Sequence, residues 1–288
     1  MGRISSACRR EVVDMSVLSP KTLGDSVRFD EAECAAAGRQ LAAQYRDAAP
    51  FPHIALTDFL PLAPLRRVAV AFPGGESGHS FARAQEMSKT QYHPEAVPDD
   101  FSRNLIYALN TEPFIAFLSE MTGIQGLVPD PYFVGGGLHE TKRGGHLGIH
   151  ADFNNHKIMR LRRRLNLLIY LNDDWEESYG GHLELWSKDM KRCEKRVLPT
   201  LGTCVVFSTN LDSMHGQPDP LTCPEGRSRR SIALYYYTST ADLNDQPDRT
   251  TNFQPRAKSN DKKDYSVSFR HFLNEWVPPA IRRKMGRG

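Results

Sequence analysis

The chain has 288 residues, of which 40% are hydrophobic and 25% are charged, as in an ordinary soluble globular protein. Its 37 basic and 34 acidic residues give a net charge of +3. Because this excess is small and the basic residues are scattered, we expect no nucleic-acid partner. No apolar run is long enough to span a bilayer, and the N-terminus lacks the pattern of a secretory signal. We therefore expect no membrane partner.

The cysteines indicate a reducing compartment. The chain has five, an odd number, and none of them forms a C-x-x-C pair: Cys8, Cys34, Cys193, Cys204 and Cys223. This pattern favours free thiols over a disulfide framework or a structural zinc site. We therefore expect a cytoplasmic protein.

The N-terminal part of the chain predicts an arm followed by helices. Residues 1–27 show no clear hydrophobic period, which predicts an N-terminal arm. Residues 29–50, 62–72 and 102–124 carry apolar residues at helical spacing. Residues 51–61 read as a short strand between prolines.

Residues 131–239 predict a mainly β core. Short β-type runs alternate there with Gly, Pro, Asn and Asp, for example PYFVGGGLHET, HLGIHADF, RLNLLIYLN, GTCVVFS and RSIALYYYTS. Such spacing is typical of a sandwich or jelly roll. We predict one α+β domain over 28–240, with N-terminal helices packed on one face of the β core. Residues 241–288 then form a polar connector and a C-terminal helix.

The segment GGHLGIHADFN at residues 144–154 contains a candidate metal site. Side chains two apart on a strand point to the same face, so His150 and Asp152 can share one cavity. The pair Gly144 and Gly145 would let the backbone bend into this strand. The alternative is that His150 and Asp152 are ordinary surface residues that stand two apart by chance, because both residue types are common on surfaces.

A third ligand is expected downstream, because two ligands leave a divalent metal underbound. His215, in MHGQPDPL, lies between two β-type runs and is the candidate. Two histidines and one carboxylate have the composition of the facial triad that binds Fe(II) and leaves one side of the metal open.

The strand RRSIALYYYT, which follows His215, opens with two arginines. An oxygenase that uses 2-oxoglutarate as its co-substrate needs a cation near the metal to hold the far carboxylate of that co-substrate. Arginine suits this role because its planar fork pairs with carboxylates. Alternation puts Arg229 on a polar face with Ser231, and Arg230 on the apolar face. We therefore favour Arg229, with Arg230 as the alternative; exposed strand-end arginines are the third possibility.

The strand RRLNLLIYLN supplies further candidates. Alternation places Arg164, Asn166 and Tyr170 on one face and an apolar row on the other. Tyr170 is expected to donate its hydroxyl to the same carboxylate as Arg229. An ordinary core tyrosine is the alternative.

These motifs, in this order, resemble the iron(II)/2-oxoglutarate-dependent dioxygenases, specifically the prolyl 4-hydroxylase-like branch. The resemblance covers residues 131–239 and rests on GGHLGIHADFN, RRLNLLIYLNDDW, YGGHLELW, LPTLGTCVVFST, MHGQPDPL and RRSIALYYYT. It implies a double-stranded β-helix that binds Fe(II), 2-oxoglutarate and O2, with ascorbate as a candidate reductant.

The resemblance also implies roles for individual residues. His150, Asp152 and His215 would bind iron, and Arg229, Ser231 and Tyr170 would bind 2-oxoglutarate. His139, in GGGLHET, falls near the position where relatives often carry a tyrosine by the iron. Halogenating relatives lack the carboxylate, so the presence of Asp152 implies hydroxylation of a C–H bond, with decarboxylation of 2-oxoglutarate to succinate.

The sequence leaves the substrate open. A prolyl residue in a peptide, a free amino acid and a natural-product scaffold are the alternatives within the enzyme class. A non-catalytic jelly-roll module that binds a metal or ligand, or a cupin-like protein with another metal, is the alternative from a different class. The sequence does not reveal the oligomeric state.

Overall fold

The fold is described from a computed structural model, and the description covers residues 16–74, 77–239, 250–257, 259 and 261, without the side chain of Arg83. The predicted C-terminal helix and residues 1–15 of the predicted arm lie outside these residues. The helices are α1 (Glu31–Arg46), α2 (Leu62–Val70), α3 (Asp100–Ala108) and α4 (Glu112–Thr122), with short 3-10 turns at Pro94–Ala96 and Glu177–Tyr179. The strands are β1 (Lys21–Leu23), β2 (Ser26–Arg28), β3 (His53–Leu56), β4 (His79–Arg83), β5 (Glu86–Tyr92), β6 (Val128–Pro129), β7 (Gly137–Ala151), β8 (Arg162–Tyr170), β9 (Leu183–Trp186), β10 (Cys193–Val197), β11 (Cys204–Ser208), β12 (His215–Gln217), β13 (Ser228–Thr238) and β14 (Asn252–Phe253).

The helices form one layer on the outside of the β core. Local sequence fixes where they begin: the side chain of Asp30 caps α1 by accepting from the Glu33 N–H, and Asp99 caps α3 by accepting from the Ser102 N–H. Phe114 and Phe117 of α4 are fully buried in the same cluster as strand residues such as Ile232. The prediction of helices packed on one face of a β core is confirmed.

The strands form an antiparallel, barrel-like jelly roll. The main path runs β10-β9-β12-β7-β13-β8-β11-β3. Leu183 and Leu185 of β9 pack in one cluster with Val205 and Phe207 of β11, so the two ends of this path face each other. The β-core prediction is confirmed, and the core also takes in β3 and β5, which precede residue 131.

Strand β7 connects the two halves of the barrel. Its first part pairs with β13 and its last residues pair with β12 and β14, while β5 pairs with β7 on both sides of the bend. The bend between these parts lies at Gly144, whose φ of +76° is in the region that favours glycine. This bend directs the end of β7, with the His-x-Asp motif, towards the barrel interior.

Three segments differ from the expected organisation. The hairpin of β4 and β5 was not predicted, and it pairs with the edge of β7. Within the predicted arm, Leu18 and Val27 are buried and the N–H of Leu18 donates to the Phe59 carbonyl, so the two ends of residues 16–27 pack on the domain while residues 21–26 are exposed. Within the predicted connector, β14 adds to β7, and Arg256 pairs with Asp219.

None of the helices within the described residues combines the length and the apolar character that crossing a bilayer requires.

The contact of α1 with α4 depends on Gly38. A Cβ there would collide with the Phe117 carbonyl oxygen and lie 2.9 Å from Cβ of Glu120. We expect Gly38→Ala to lower the free energy of unfolding by about 1–3 kcal/mol through overpacking, although alanine favours helices. Gly74→Ala, where an added Cβ meets nothing within 4 Å, is the control and should be neutral or slightly stabilising. Urea denaturation tests both; equal effects would contradict the close packing.

Candidate functional site

Strands β7 and β12 bring two histidines and an aspartate together inside the barrel. His215, the first residue of β12, lies directly opposite His150 of β7, and Asp152 follows the last residue of that strand. The ring centroids of the two histidines are 4.5 Å apart. One potential ligand atom from each of the three residues lies within 4.8 Å of the others. The three residues can therefore hold one metal ion.

Backbone carbonyls orient both imidazole rings. Nδ1 of His150 lies 2.8 Å from the Gly148 oxygen, and Nδ1 of His215 lies 2.9 Å from the Ser213 oxygen. Since a carbonyl only accepts, each Nδ1 carries the proton, and each Nε2 presents a lone pair to the cluster. Burial lowers the pKa of His215 to about 4, so that ring is neutral near pH 7.

One hydrogen bond and one ion pair hold the carboxylate of Asp152 in place. Asn166 donates from Nδ2 to Oδ2 over 2.7 Å. Nη2 of Arg163 lies 3.1 Å from the same oxygen, within ion-pair distance but not aligned for a hydrogen bond. Burial alone would raise the pKa of Asp152, but the positive charge of Arg163 beside it lowers the pKa well below its usual value. Asp152 is therefore ionised and bears the negative charge that a metal dication needs.

Arg163 is almost completely buried at the edge of this cluster. Its guanidinium carbon lies 3.4 Å from the ring centroid of Tyr235 and 4.6 Å from that of Phe153. Its Nε donates to Oδ1 of Asn166 over 2.8 Å, which links it to the donor on Asp152. A charge in this place is stabilised by the aromatic faces and by the carboxylate together.

The prediction that Arg164 faces the cavity is wrong. A bulge interrupts the pairing of β8 with β13: Tyr236 pairs with Leu165, but Tyr237 pairs with Arg163. The bulged residue shifts the alternation, so that Arg163 points inward and Arg164 donates to the Thr238 hydroxyl. Strict alternation over residues 164–170 could not reveal the bulge.

Arg229 faces the cavity and has no carboxylate partner among the described residues. Its Nε donates to the Gly181 oxygen over 2.7 Å, and its Nη2 donates to the Tyr170 hydroxyl oxygen over 3.0 Å. Because the guanidinium only donates, the Tyr170 hydroxyl hydrogen is left for another acceptor. Arg229 thus presents its charge to an anion entering from the cavity, and the hydroxyl of Tyr170, which is not among the lining residues, holds Nη2 of Arg229 in place.

Arg230 points to the other face of β13. Its Nη2 lies 3.2 Å from Oε1 of Glu140, and its Nε donates to the Ser228 hydroxyl over 3.0 Å. Its charge is therefore neutralised outside the cavity, and of the two arginines only Arg229 lines it.

His139 and Ser231 lie between Arg229 and the metal site at Asp152. Ser231 on β13 is directly opposite His139 on β7 and Tyr170 on β8. His139 is bonded through Nε2 to the Gly135 oxygen at 3.0 Å, and burial lowers its pKa well below the usual value, so the ring is neutral. These side chains and Asn166 all belong to one interior surface.

A cavity of about 230 Å³ joins Arg229, Ser231 and His139 to the two histidines, Asp152, Arg163 and Asn166. Its lining also includes residues that the sequence did not identify: Glu86 and Lys89 from β5, Gln217 from β12, and Phe253 from β14. The ring centroid of Phe253 lies 5.2 Å from that of His150. No local motif signals these four residues, because they reach the cavity through strand pairing with β7.

The metal-binding side chains and the cavity fit the Fe(II) ion and the 2-oxoglutarate that the sequence predicted. Two neutral imidazole nitrogens and one ionised carboxylate form one side of a metal site, as in a facial triad. Arg229, a half-buried arginine without an acid partner among the described residues, lines the same cavity. This arrangement suits a metal and a dianionic co-substrate bound side by side.

Comparison with known proteins gives the same family as the motifs. Residues 136–237 match the family model described as the 2OG-Fe(II) oxygenase superfamily. This range contains all the candidate residues of the site. A search of curated proteins finds no match.

Several solved structures are similar to this chain. A prolyl-4-hydroxylase from Pseudomonas putida superposes with a TM-score of 0.50 and 20% identity over 69% of this chain and 98% of that chain. A prolyl hydroxylase from Trichoplax adhaerens, in complex with a hypoxia inducible factor peptide, gives 0.49 and 16% over 72% and 91%. HygX from Streptomyces hygroscopicus, with nickel and 2-oxoglutarate bound, gives 0.47 and 13% over 69% and 87%.

The ion pair of Arg163 with Asp152 should make a measurable contribution to the free energy of unfolding. We expect Arg163→Met to lower the free energy of unfolding of the metal-free protein by about 3–5 kcal/mol, because a buried carboxylate loses its partner. The matched control Arg164→Met, one residue along β8, should cost about 1 kcal/mol or less. Adding Zn(II) should narrow the deficit of Arg163→Met, since the metal would compensate the same carboxylate. Equal losses in urea denaturation of the two variants would contradict this pairing.

Proposed function

We propose that this chain, whose residues 136–237 belong to the 2OG-Fe(II) oxygenase superfamily, is a dioxygenase that hydroxylates an unactivated C–H bond of an amino-acid-like compound or a prolyl residue. The observation that carries the proposal is Arg229, a cavity-facing cation without a carboxylate partner among the described residues, in the same cavity as the two histidines and Asp152. A binding module that holds only a metal would not need this cation.

We assign iron binding to Nε2 of His150, the carboxylate of Asp152, and Nε2 of His215. The backbone carbonyls behind each ring hold its Nδ1 protonated, so that Nε2 can bind metal without losing a proton. Asn166 and Arg163 both approach Oδ2 of Asp152, which leaves Oδ1 less engaged and favours binding through that atom.

We assign the far carboxylate of 2-oxoglutarate to Arg229 and Tyr170, with Ser231 beside them. Arg229 supplies the charge and Tyr170 a hydroxyl hydrogen, and their mutual hydrogen bond fixes both side chains before the ligand arrives. Leu168 and Leu183 line the cavity and exclude water from this contact.

When bound, Fe(II) and 2-oxoglutarate supply the oxidising chemistry, in which O2 is consumed, 2-oxoglutarate becomes succinate and carbon dioxide, and a substrate C–H bond becomes C–OH. The chain positions the reactants and keeps the cavity dry. Phe153, Tyr235 and Phe253 line the side of the cavity near His150 and Asp152, where a substrate carbon would lie.

The first test is the affinity for 2-oxoglutarate. Anaerobic titration of Fe(II)-loaded protein should give a visible charge-transfer band that reports binding. We expect Arg229→Ala to raise the Kd of 2-oxoglutarate roughly 100-fold, because a buried charged hydrogen-bond pair is lost. Arg230→Ala, the adjacent residue on the other face, should change it less than about twofold. Absence of the band in the wild type despite bound iron would favour the binding-module alternative.

The second test concerns the carboxylate of Asp152 as an iron ligand. Asp152→Ala should lose stoichiometric Fe(II) binding, measured by equilibrium dialysis, and 2-oxoglutarate turnover, because two imidazoles alone underbind the metal. The control Asp173→Ala removes an exposed carboxylate paired with Arg66 and should keep both activities. Normal consumption of 2-oxoglutarate by Asp152→Ala would refute the assignment.

A further inference from the structure

Two charged residues of the cavity have no part in the proposed iron and 2-oxoglutarate binding. Glu86 and Lys89 of β5 form an ion pair with 2.9 Å between Oε1 and Nζ, and their side chains are only 11% and 14% exposed. Both line the cavity. No described side chain donates to the second oxygen of Glu86, Oε2. Because Glu86 lines the cavity, this oxygen is open to a cation or hydrogen-bond donor that enters there, which points to a ligand at this place.

A second acceptor without a donor lies nearby. The side-chain nitrogen of Gln217 donates to the carbonyl oxygens of Gly145 and Asp219 at 3.3 and 2.5 Å. These two carbonyls fix the amide orientation, because only the nitrogen can donate to them. Oε1 of Gln217 is buried and has no hydrogen-bond partner among the described residues.

Strand register places the two acceptors on the same face of the sheet as the side chain of Leu147. Glu86 on β5 and Gln217 on β12 both pair with this residue of β7, from its two edges, and all three side chains line the cavity. His150 lies three residues further along the same strand. The acceptors are thus roughly 10 Å along β7 from the candidate metal site. A molecule of a few bonds spans that distance.

Resting on the function proposed above, we infer that the substrate is a free amino acid. Its ammonium group binds between Oε2 of Glu86 and Oε1 of Gln217, and its carboxylate binds the ammonium of Lys89. The ion pair of the protein is complementary to a zwitterion, because each charged end of the substrate finds the opposite charge beside it. The side chain of the substrate then points towards His150 and Asp152.

The same contacts disfavour a prolyl residue within a peptide. Its nitrogen carries neither a hydrogen nor a charge, so it offers nothing to Glu86 or Gln217. The cavity, at about 230 Å³, is also below the usual range for drug-sized ligands and suits a small molecule.

The test is a comparison of free and blocked amino acids. Succinate release by the Fe(II)-loaded enzyme with 2-oxoglutarate and O2 is measured for the twenty L-amino acids, their N-acetyl derivatives, and a proline-containing peptide with blocked ends. At least one free amino acid should stimulate release over the substrate-free rate, and its N-acetyl form should be at least about tenfold poorer in kcat/KM, since a charge-assisted contact is lost. Stimulation by the blocked peptide alone, or by no free amino acid, would overturn the inference.

A matched pair of variants locates the contact. Glu86→Gln keeps the shape of the side chain and should raise KM for the free amino acid at least about tenfold with little change in kcat, because the contact is equal in ground and transition states. Glu140→Gln is the control: this glutamate is also buried and pairs with Arg230, on the other face of the sheet. The KM of Glu140→Gln for the free amino acid should stay within about twofold of the wild-type value. An unchanged KM in Glu86→Gln would mean that these acceptors face only water.

Two further measurements separate misfolding and failure of the enzyme assignment from failure of this inference. The thermal midpoint checks that Glu86→Gln folds; should it not fold, Glu86→Asp, which only retracts the carboxylate, must show the increase in KM instead. The charge-transfer band with 2-oxoglutarate is independent of the amino acid. Presence of the band without amino-acid stimulation overturns the substrate alone, whereas absence of the band overturns the proposed function itself.

Discussion

The structure depends on an ionised carboxylate, Asp152, kept inside a β barrel. Burial of this charge is unfavourable unless it is paired and hydrogen-bonded. Arg163 supplies the charge and Asn166 the hydrogen bond, and the histidines opposite it present lone pairs rather than protons. The result is a carboxylate beside two nitrogen lone pairs, an arrangement that is complementary to a metal dication.

Several irregularities of the fold serve this arrangement. The bend at Gly144 takes the end of β7 from one half of the barrel to the other, so that His150 can face His215 on β12. The bulge in β8 turns Arg163 inward, against Tyr235. A regular pleat would have turned Arg163 outward, away from the aromatic faces of Phe153 and Tyr235 that enclose it.

The sequence predicted the part of the site that depends on strand periodicity. His-x-Asp on one strand face, and Arg229 rather than Arg230 towards the cavity, follow from a period of two and agree with the observed geometry. Arg163 was missed because a bulge reverses that period and leaves no mark in the sequence. The hairpin of β4 and β5, with Glu86 and Lys89, was missed because its residues are polar on both faces and form strands by pairing with β7. The same reason applies to Phe253 in a polar, proline-containing segment.

We propose that one cavity binds a metal at Asp152 and a carboxylate at Arg229. Anomalous X-ray diffraction from crystals grown anaerobically with Fe(II) and 2-oxoglutarate would locate both ligands. We expect a single iron peak bonded to His150, Asp152 and His215, with the far carboxylate of 2-oxoglutarate on Arg229 and Tyr170. Iron at another place, or a carboxylate held by Arg230 or by Lys89 instead of Arg229, would contradict it.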